Sequence, residues 1–185
     1  YAPGINIHRS AMGGRNFEYY SEDPLISGIM GAKTAEGTMK YGVYTYAKHF
    51  VLNDQETERR GIQVWTNEQA LREIYLKPFE LYVKSGYGLG IMSSFNRIGN
   101  CWTGGSEALC TDVLRTEWGF HGVVVTDYME PNIMKMSLGL RAQNDLCLHR
   151  NTLNDAYSVY LEANYDGAYL MRRACKNILY AIAHS

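Results

Sequence analysis

Apolar residues follow two rhythms along this chain. Short uninterrupted apolar runs alternate with longer stretches in which apolar positions recur every three or four residues. Gly122-Val123-Val124-Val125-Thr126-Asp127 is the clearest short run, apolar on both faces as a strand covered on both sides is, and it closes on a carboxylate. Val43 to Phe50 and Gly90 to Phe95 read as two further strands. Tyr1 to Ile7 and the stretch around Asp145-Leu146-Cys147-Leu148 add two shorter ones, about five in all.

The helical rhythm fills the gaps. Asp23-Pro24 predicts a helix start, with Asp23 as cap and Pro24 in the first turn, running to about Lys40. Thr66 with Gln69 forms a capping-box pattern before Ala70, Leu71, Ile74, Tyr75, Leu81 and Tyr82, a helix that ends near Gly86 and that Pro78 is expected to kink. Ser106 opens a third helix, with Leu109, Val113, Leu114 and Trp118 on its apolar face and Gly119 closing it. After Asp166, Leu170, Met171, Ala174, Cys175, Ile178, Leu179 and Ile182 predict a last helix buried along that face.

Strands alternating with helices, with no two-residue hairpin turn in view, predict an α/β fold with a parallel sheet. Polar residues gather just after strands: Arg9 and Arg15, Lys48 and His49, Ser93 to Asn96, and Asp127. A doubly wound sheet concentrates ligands at one switch point, usually with a Gly-rich phosphate loop, and no such loop occurs. Polar ends spread over four strands instead fit a TIM-type (β/α)8 barrel with outer helices. A whole barrel takes ~250 residues and this chain has 185, so a partial barrel is expected.

Composition narrows the partners. The chain is 46% hydrophobic and 20% charged, and 18 Lys and Arg against 19 Asp and Glu leave a formal charge of −1. That balance gives no electrostatic basis for binding nucleic acid or an anionic membrane. No apolar run approaches the roughly 20 residues of a membrane span. Cys101, Cys110, Cys147 and Cys175 are far apart, which suggests thiols in a reducing, cytoplasmic setting rather than a disulfide framework. No clustered Cys and His, HExxH or acidic triplet suggests a metal, and no cofactor is expected. Tyr1 stands where Met would begin a protein, so the sequence reads as an internal piece and its localisation stays open.

Taken singly, each polar candidate has two readings. Asp127 either presents a carboxylate to a cavity or caps the helix that follows. Lys48 and His49 are strand neighbours that face opposite ways unless a bulge re-aims one, and they suit hydroxyl recognition or a surface Lys beside a core His. Arg15 follows Gly13-Gly14, where a side chain can approach a ligand closely or simply be solvated. Arg59-Arg60 reads as a surface charge cluster with Glu56 and Glu58, from which either Arg could still reach inward.

Together these residues carry a family resemblance. The stretch from Gly14-Arg15-Asn16-Phe17-Glu18 to Asp23-Pro24 resembles the signature turn of glycoside hydrolase family 3 β-glucosidases. Lys48-His49-Phe50 with Asn53-Asp54-Gln55-Glu56 and Arg59, then Met92-Ser93-Ser94-Phe95-Asn96, resemble its second and third blocks. Leu114-Arg115-Thr116-Glu117-Trp118-Gly119-Phe120 followed by Gly122 to Asp127 resembles its nucleophile block, and the four motifs occur in the family's order.

The resemblance implies a retaining, exo-acting hydrolase of β-linked glucosides or short oligosaccharides. Asp127 is then the catalytic nucleophile. Arg15, Lys48 and His49 bind the hydroxyls of the terminal sugar, Arg59 lies near that pocket, Met92 lines its floor and Tyr128 gives an aromatic wall. It also implies that residues 1–185 are the C-terminal two-thirds of the barrel domain, without its first strands and without the α/β-sandwich domain. That remainder of the polypeptide would supply the acid/base Glu, and without it the chain alone is expected to be weak or inactive. Three positions depart from the family: Phe95 where Tyr is common, Tyr128 where Trp is common, and Glu130 where a small residue is usual. A β-xylosidase, an arabinofuranosidase and a non-catalytic carbohydrate-binding remnant are the alternatives. An N-acetylglucosaminidase is disfavoured by Val51-Leu52-Asn53 after Phe50, where that group carries Pro-Gly.

Overall fold

The structure is a computed structural model that describes residues 1–129, 133–149 and 166–185. Its main sheet contains β1 (Tyr46–Phe50), β3 (Gly90–Ser93), β6 (Val123–Tyr128) and β7 (Leu146–Leu148), adjacent in chain order and all parallel. Ile5 N–H donates to Lys48 O at 2.8 Å and Lys48 N–H donates to Pro3 O at 3.0 Å, so the first residues run parallel to β1 as a fifth track. Strand order that never reverses distinguishes a barrel wall from a doubly wound sheet.

Helices cover the outside. Helix α1 (Pro24–Met39) starts where Asp23 accepts the N–H groups of Leu25 and Ile26 at 2.7 and 3.1 Å. The next helical segment consists of α2 (Glu68–Ala70), a wide π turn (Leu71–Tyr75) and α3 (Lys77–Lys84). Asn67, not Thr66, caps it by accepting Ala70 N–H at 2.7 Å. Pro78 sits in the first turn of α3 after the ladder has widened, with Leu76 N–H donating to Leu71 O at 2.8 Å, so the break precedes the proline. The helix after Ser106 is also wound as a π-helix (Ala108–Glu117) and ends at Gly119, whose φ is +73°. Helices α4 (Met136–Arg141) and α5 (Gly167–Ala183) complete the layer.

Between sheet and helices lie Ile5, Phe50, Phe79, Tyr82, Ile91, Leu114 and Val124, all fully or nearly fully buried. Packing is close enough at Gly122 that a Cβ there would meet Leu89 O at 2.1 Å. The last helix buries less than its periodicity suggests. Leu170 and Ala174 are buried, whereas Leu179 and Ile182 are 64% and 56% exposed, and Met171 and Cys175 are exposed too.

A second, three-stranded sheet was not expected: β2 (Gln63–Val64) pairs parallel with β4 (Arg97–Ile98), and β4 pairs antiparallel with β5 (Cys101–Trp102). The β4–β5 turn is the two-residue hairpin Gly99-Asn100, with Gly99 at φ +56°. Two-residue strands carry too little alternation to register in a hydrophobic pattern.

Candidate active site

The burial that makes β6 a strand also shapes its end. Val123 through Thr126 are buried, and Asp127 is the first side chain to emerge, 15% exposed at the C-terminal edge. Asp127 Oδ1 accepts its neighbour's Tyr128 N–H at 2.7 Å, while Oδ2 is buried with no hydrogen-bond partner and faces His49 Nε2 at 3.6 Å. Burial pushes its pKa above the ordinary carboxylate value, and the Tyr128 N–H and the charges of Arg59, Arg15 and Lys48 pull it back. The site therefore holds a partly desolvated carboxylate whose ionised form depends on surrounding cations.

Strand β1 delivers two neighbouring side chains to one place by losing register. Ala47 pairs with Ile91 and Phe50 with Ser93, three steps along β1 against two along β3. The extra residue turns both Lys48 and His49 to the site, and the buried Asn6 amide takes up the backbone left over. Asn6 Nδ2 donates to His49 O at 3.0 Å, and His49 N–H donates to Asn6 Oδ1 at 2.5 Å.

Carboxylates and cations alternate around this edge. Glu18 accepts from Lys48 Nζ at 2.8 Å and from Arg15 Nε, and these contacts hold its own pKa below the ordinary value against the effect of burial. Glu56 accepts from Arg59 at 2.5 Å and lies 4.0 Å from Arg15. The Arg59 guanidinium stacks 4.6 Å over the Phe95 ring, which turns it inward rather than into a surface cluster. His49 is 1% exposed, and burial together with the Arg15, Lys48 and Arg59 charges holds its pKa well below the ordinary value, so the imidazole is neutral at neutral pH.

Glu18 and Glu56 thus join Arg15, Lys48 and Arg59 in one charge network, and the neutral His49 faces Asp127. Met92 is buried on β3, in register with Val125, and Tyr128 is 37% exposed at the strand end. A narrow cavity of about 10 Å³ beside Asp127 is lined by Ser94, Phe95, Trp102, Thr126 and Met129 among others. Trp102 reaches it from the unexpected small sheet. Glu130 lies outside the described residues. Among the described residues no three His, Cys, Asp or Glu side chains gather as a metal site would need.

The sequence reading gave no site role to Glu18, Glu56, Tyr19 or Asn6, and placed Glu56 only in a surface charge cluster. For the first two, a signal was present: Arg15 with Glu18 and Glu56 with Arg59 are opposite charges three residues apart. Nothing local marks Tyr19 or Asn6, because their partner His49 is 30 and 43 residues away.

Known proteins share this arrangement of elements. Residues 1–173 match the family described as Glycosyl hydrolase family 3 N terminal domain. A β-glucosidase of Ruminococcus albus is 43% identical over 152 residues, covering 78% of this chain and 16% of that protein. An exo-α-(1→6)-L-arabinopyranosidase of Bifidobacterium longum is 46% identical over 126 residues, covering 68% of this chain and 17% of its own length. The structure of β-glucosidase 3B from Thermotoga neapolitana in complex with glucose superposes with a TM-score of 0.89 at 36% identity, covering 99% of this chain and 27% of that one. This chain therefore spans about a sixth of these two curated relatives. With its parallel βα wall matching a family barrel domain over nearly its whole length, the chain belongs to glycosyl hydrolase family 3.

Proposed function

We propose that this chain supplies the nucleophile and most of the sugar-binding cations of a retaining, exo-acting β-glucosidase. The observation that carries the reading is Asp127: a carboxylate at a strand end, one oxygen without a hydrogen-bond partner, and Arg59, Arg15 and Lys48 acting on its charge. That environment suits a group that must stay ionised while partly dry and then form a bond.

In this reading Asp127 Oδ2 attacks the anomeric carbon as the bond to the leaving oxygen breaks. A Glu from the remainder of the polypeptide protonates that oxygen, and water then hydrolyses the glycosyl ester. Lys48, Arg15 and His49 donate to the hydroxyls of the terminal sugar, and charged donors hold them in place more strongly than neutral ones. Arg59 closes the pocket's rim, and Met92 and Tyr128 form its apolar boundary. Residues 1–185 are then the C-terminal two-thirds of the barrel domain, whose first strands and partner domain complete the site.

The R. albus relative and the glucose-bound T. neapolitana structure support a glucoside substrate. The B. longum arabinopyranosidase, at similar identity, keeps a pentopyranoside as the second reading; L-arabinopyranose lacks the hydroxymethyl group of glucose and carries its 4-hydroxyl in the opposite configuration. The test is Asp127→Asn in the full-length protein, assayed on aryl β-glucoside and α-L-arabinopyranoside. Turnover is expected to fall by ~10³-fold or more with sugar binding retained. Unchanged turnover removes Asp127 from the mechanism, and a preference for the arabinoside replaces the substrate.

A further inference from the structure

His49 carries one proton, and which ring nitrogen holds it decides what the site presents to Asp127 and to a sugar. Two neighbours bear on that choice. On one side, Tyr19 Oη lies 3.1 Å from Nδ1. On the other, Nε2 faces Asp127 Oδ2 at 3.6 Å.

We propose that Tyr19 is a positioning residue that fixes the His49 proton on Nε2, so that a neutral imidazole aims an N–H at the nucleophile's otherwise unpartnered oxygen. The Tyr19 hydroxyl has one proton to give and two acceptors near it: His49 Nδ1 at 3.1 Å and Asn53 O at 3.5 Å. The shorter contact favours donation to Nδ1. Asn53 Nδ2, 3.4 Å away, donates onto the hydroxyl oxygen and leaves its proton free for the ring. The opposite tautomer would have Nδ1–H donate to Tyr19 and would turn the Nε2 lone pair toward the buried Asp127 Oδ2, two acceptors face to face. Both ends of the ring therefore select the same proton position.

This gives Asp127 what Phe95 cannot. A side-chain donor beside Oδ2 supports the ionised form, and the same N–H is available to a sugar hydroxyl when one enters. Because His49 is buried among Arg15, Lys48 and Arg59, a second proton is opposed, and the donor stays single and directional.

The inference rests on Asp127 being the nucleophile, and its test separates the two claims. Nitrogen-15 spectra of the His-labelled full-length protein are expected to show His49 with Nε2 protonated and Nδ1 bare. Tyr19→Phe is expected to introduce a share of the other tautomer and to lower kcat/KM roughly tenfold, the effect of one hydrogen bond. It is also expected to move the acidic limb of the kcat/KM profile to higher pH, because a lone pair beside Oδ2 disfavours the carboxylate. A loss of folded protein alone would lower the whole profile without moving that limb. A proton on Nδ1 in the wild-type spectrum overturns the inference whether or not the variant folds. So does a Tyr19→Phe enzyme with unchanged tautomer and limb. A glycosyl adduct on Asp127 together with Nδ1–H keeps the nucleophile and rejects the role of Tyr19. An adduct elsewhere rejects the nucleophile, and the claim that Tyr19 positions it falls with that result.

Discussion

Glu18 accepts from both Lys48 and Arg15, so one carboxylate orients two of the three cations that act on Asp127. Glu18→Gln keeps the shape and removes the charge, and each cation then loses a charge-assisted partner. The expected result is a rise in KM for the glucoside and a loss in kcat/KM of about 2 kcal/mol, read from steady-state kinetics against Asp127→Asn as a floor. Asp54 shows the reverse situation. Its side chain is 6% exposed, Arg9 is 3.7 Å away and neither oxygen has a hydrogen-bond partner, so burial raises its pKa to about 6. A carboxyl whose folded pKa exceeds its unfolded value contributes full stability below about pH 4, and that contribution is lost as pH rises through about 6. Asp54→Asn is expected to remove this loss and to stabilise the protein at pH 7 by on the order of 2 to 3 kcal/mol relative to wild type. Urea unfolding from pH 4 to 7 measures the difference, and parallel pH curves for the two proteins would contradict it.

Asp145 and Arg115 join the elements next to the site. Asp145 Oδ2 accepts from Arg115 at 2.6 Å and from Val124 N–H at 2.9 Å, and its Oδ1 accepts from Asn177 of α5 at 2.8 Å. Arg115, from the Ala108–Glu117 helix, also donates to Phe120 O, Gly122 O and Gln143 O. Arg115→Ala leaves a buried carboxylate short of its counter-charge and is expected to cost 3 to 5 kcal/mol (about the range for a broken buried pair), as a lower denaturation midpoint. Glu117→Gln breaks the exposed pair with Arg72 and is expected to leave the midpoint in place. The sequence disclosed the elements where packing is continuous. Val123 to Val125 and the Leu109, Val113 and Leu114 face read correctly because buried positions repeat. The π winding did not show in the Ala108–Glu117 helix, since its buried Leu109, Cys110, Val113 and Leu114 are one turn apart, a four-residue step that either winding brings to one side. Lys48 and His49 were legible as a pair through the motif, yet their shared direction depends on a register slip against β3 that no local pattern encodes. The partners of His49 were hidden for the same reason: Tyr19 and Asn6 reach it only across the fold.

Along the last helix of the chain, α5 presents Met171, Cys175, Leu179 and Ile182 as an apolar stripe on its outer side. An exposed apolar helix face favours association. The 185-residue chain prepared alone is expected to self-associate in sedimentation velocity, and Leu179→Lys with Ile182→Lys is expected to reduce it. A monodisperse monomer would contradict this. The assignment of Asp127 as nucleophile is tested with a 2-deoxy-2-fluoroglucoside bearing a dinitrophenolate leaving group. Such a leaving group needs little protonation, and the fluorine slows hydrolysis of the adduct, so a covalent intermediate accumulates. Intact mass and peptide mapping of the full-length protein are expected to give one glycosyl adduct on Asp127. An adduct on any other residue, or none at all, would contradict the assignment of Asp127 as the nucleophile.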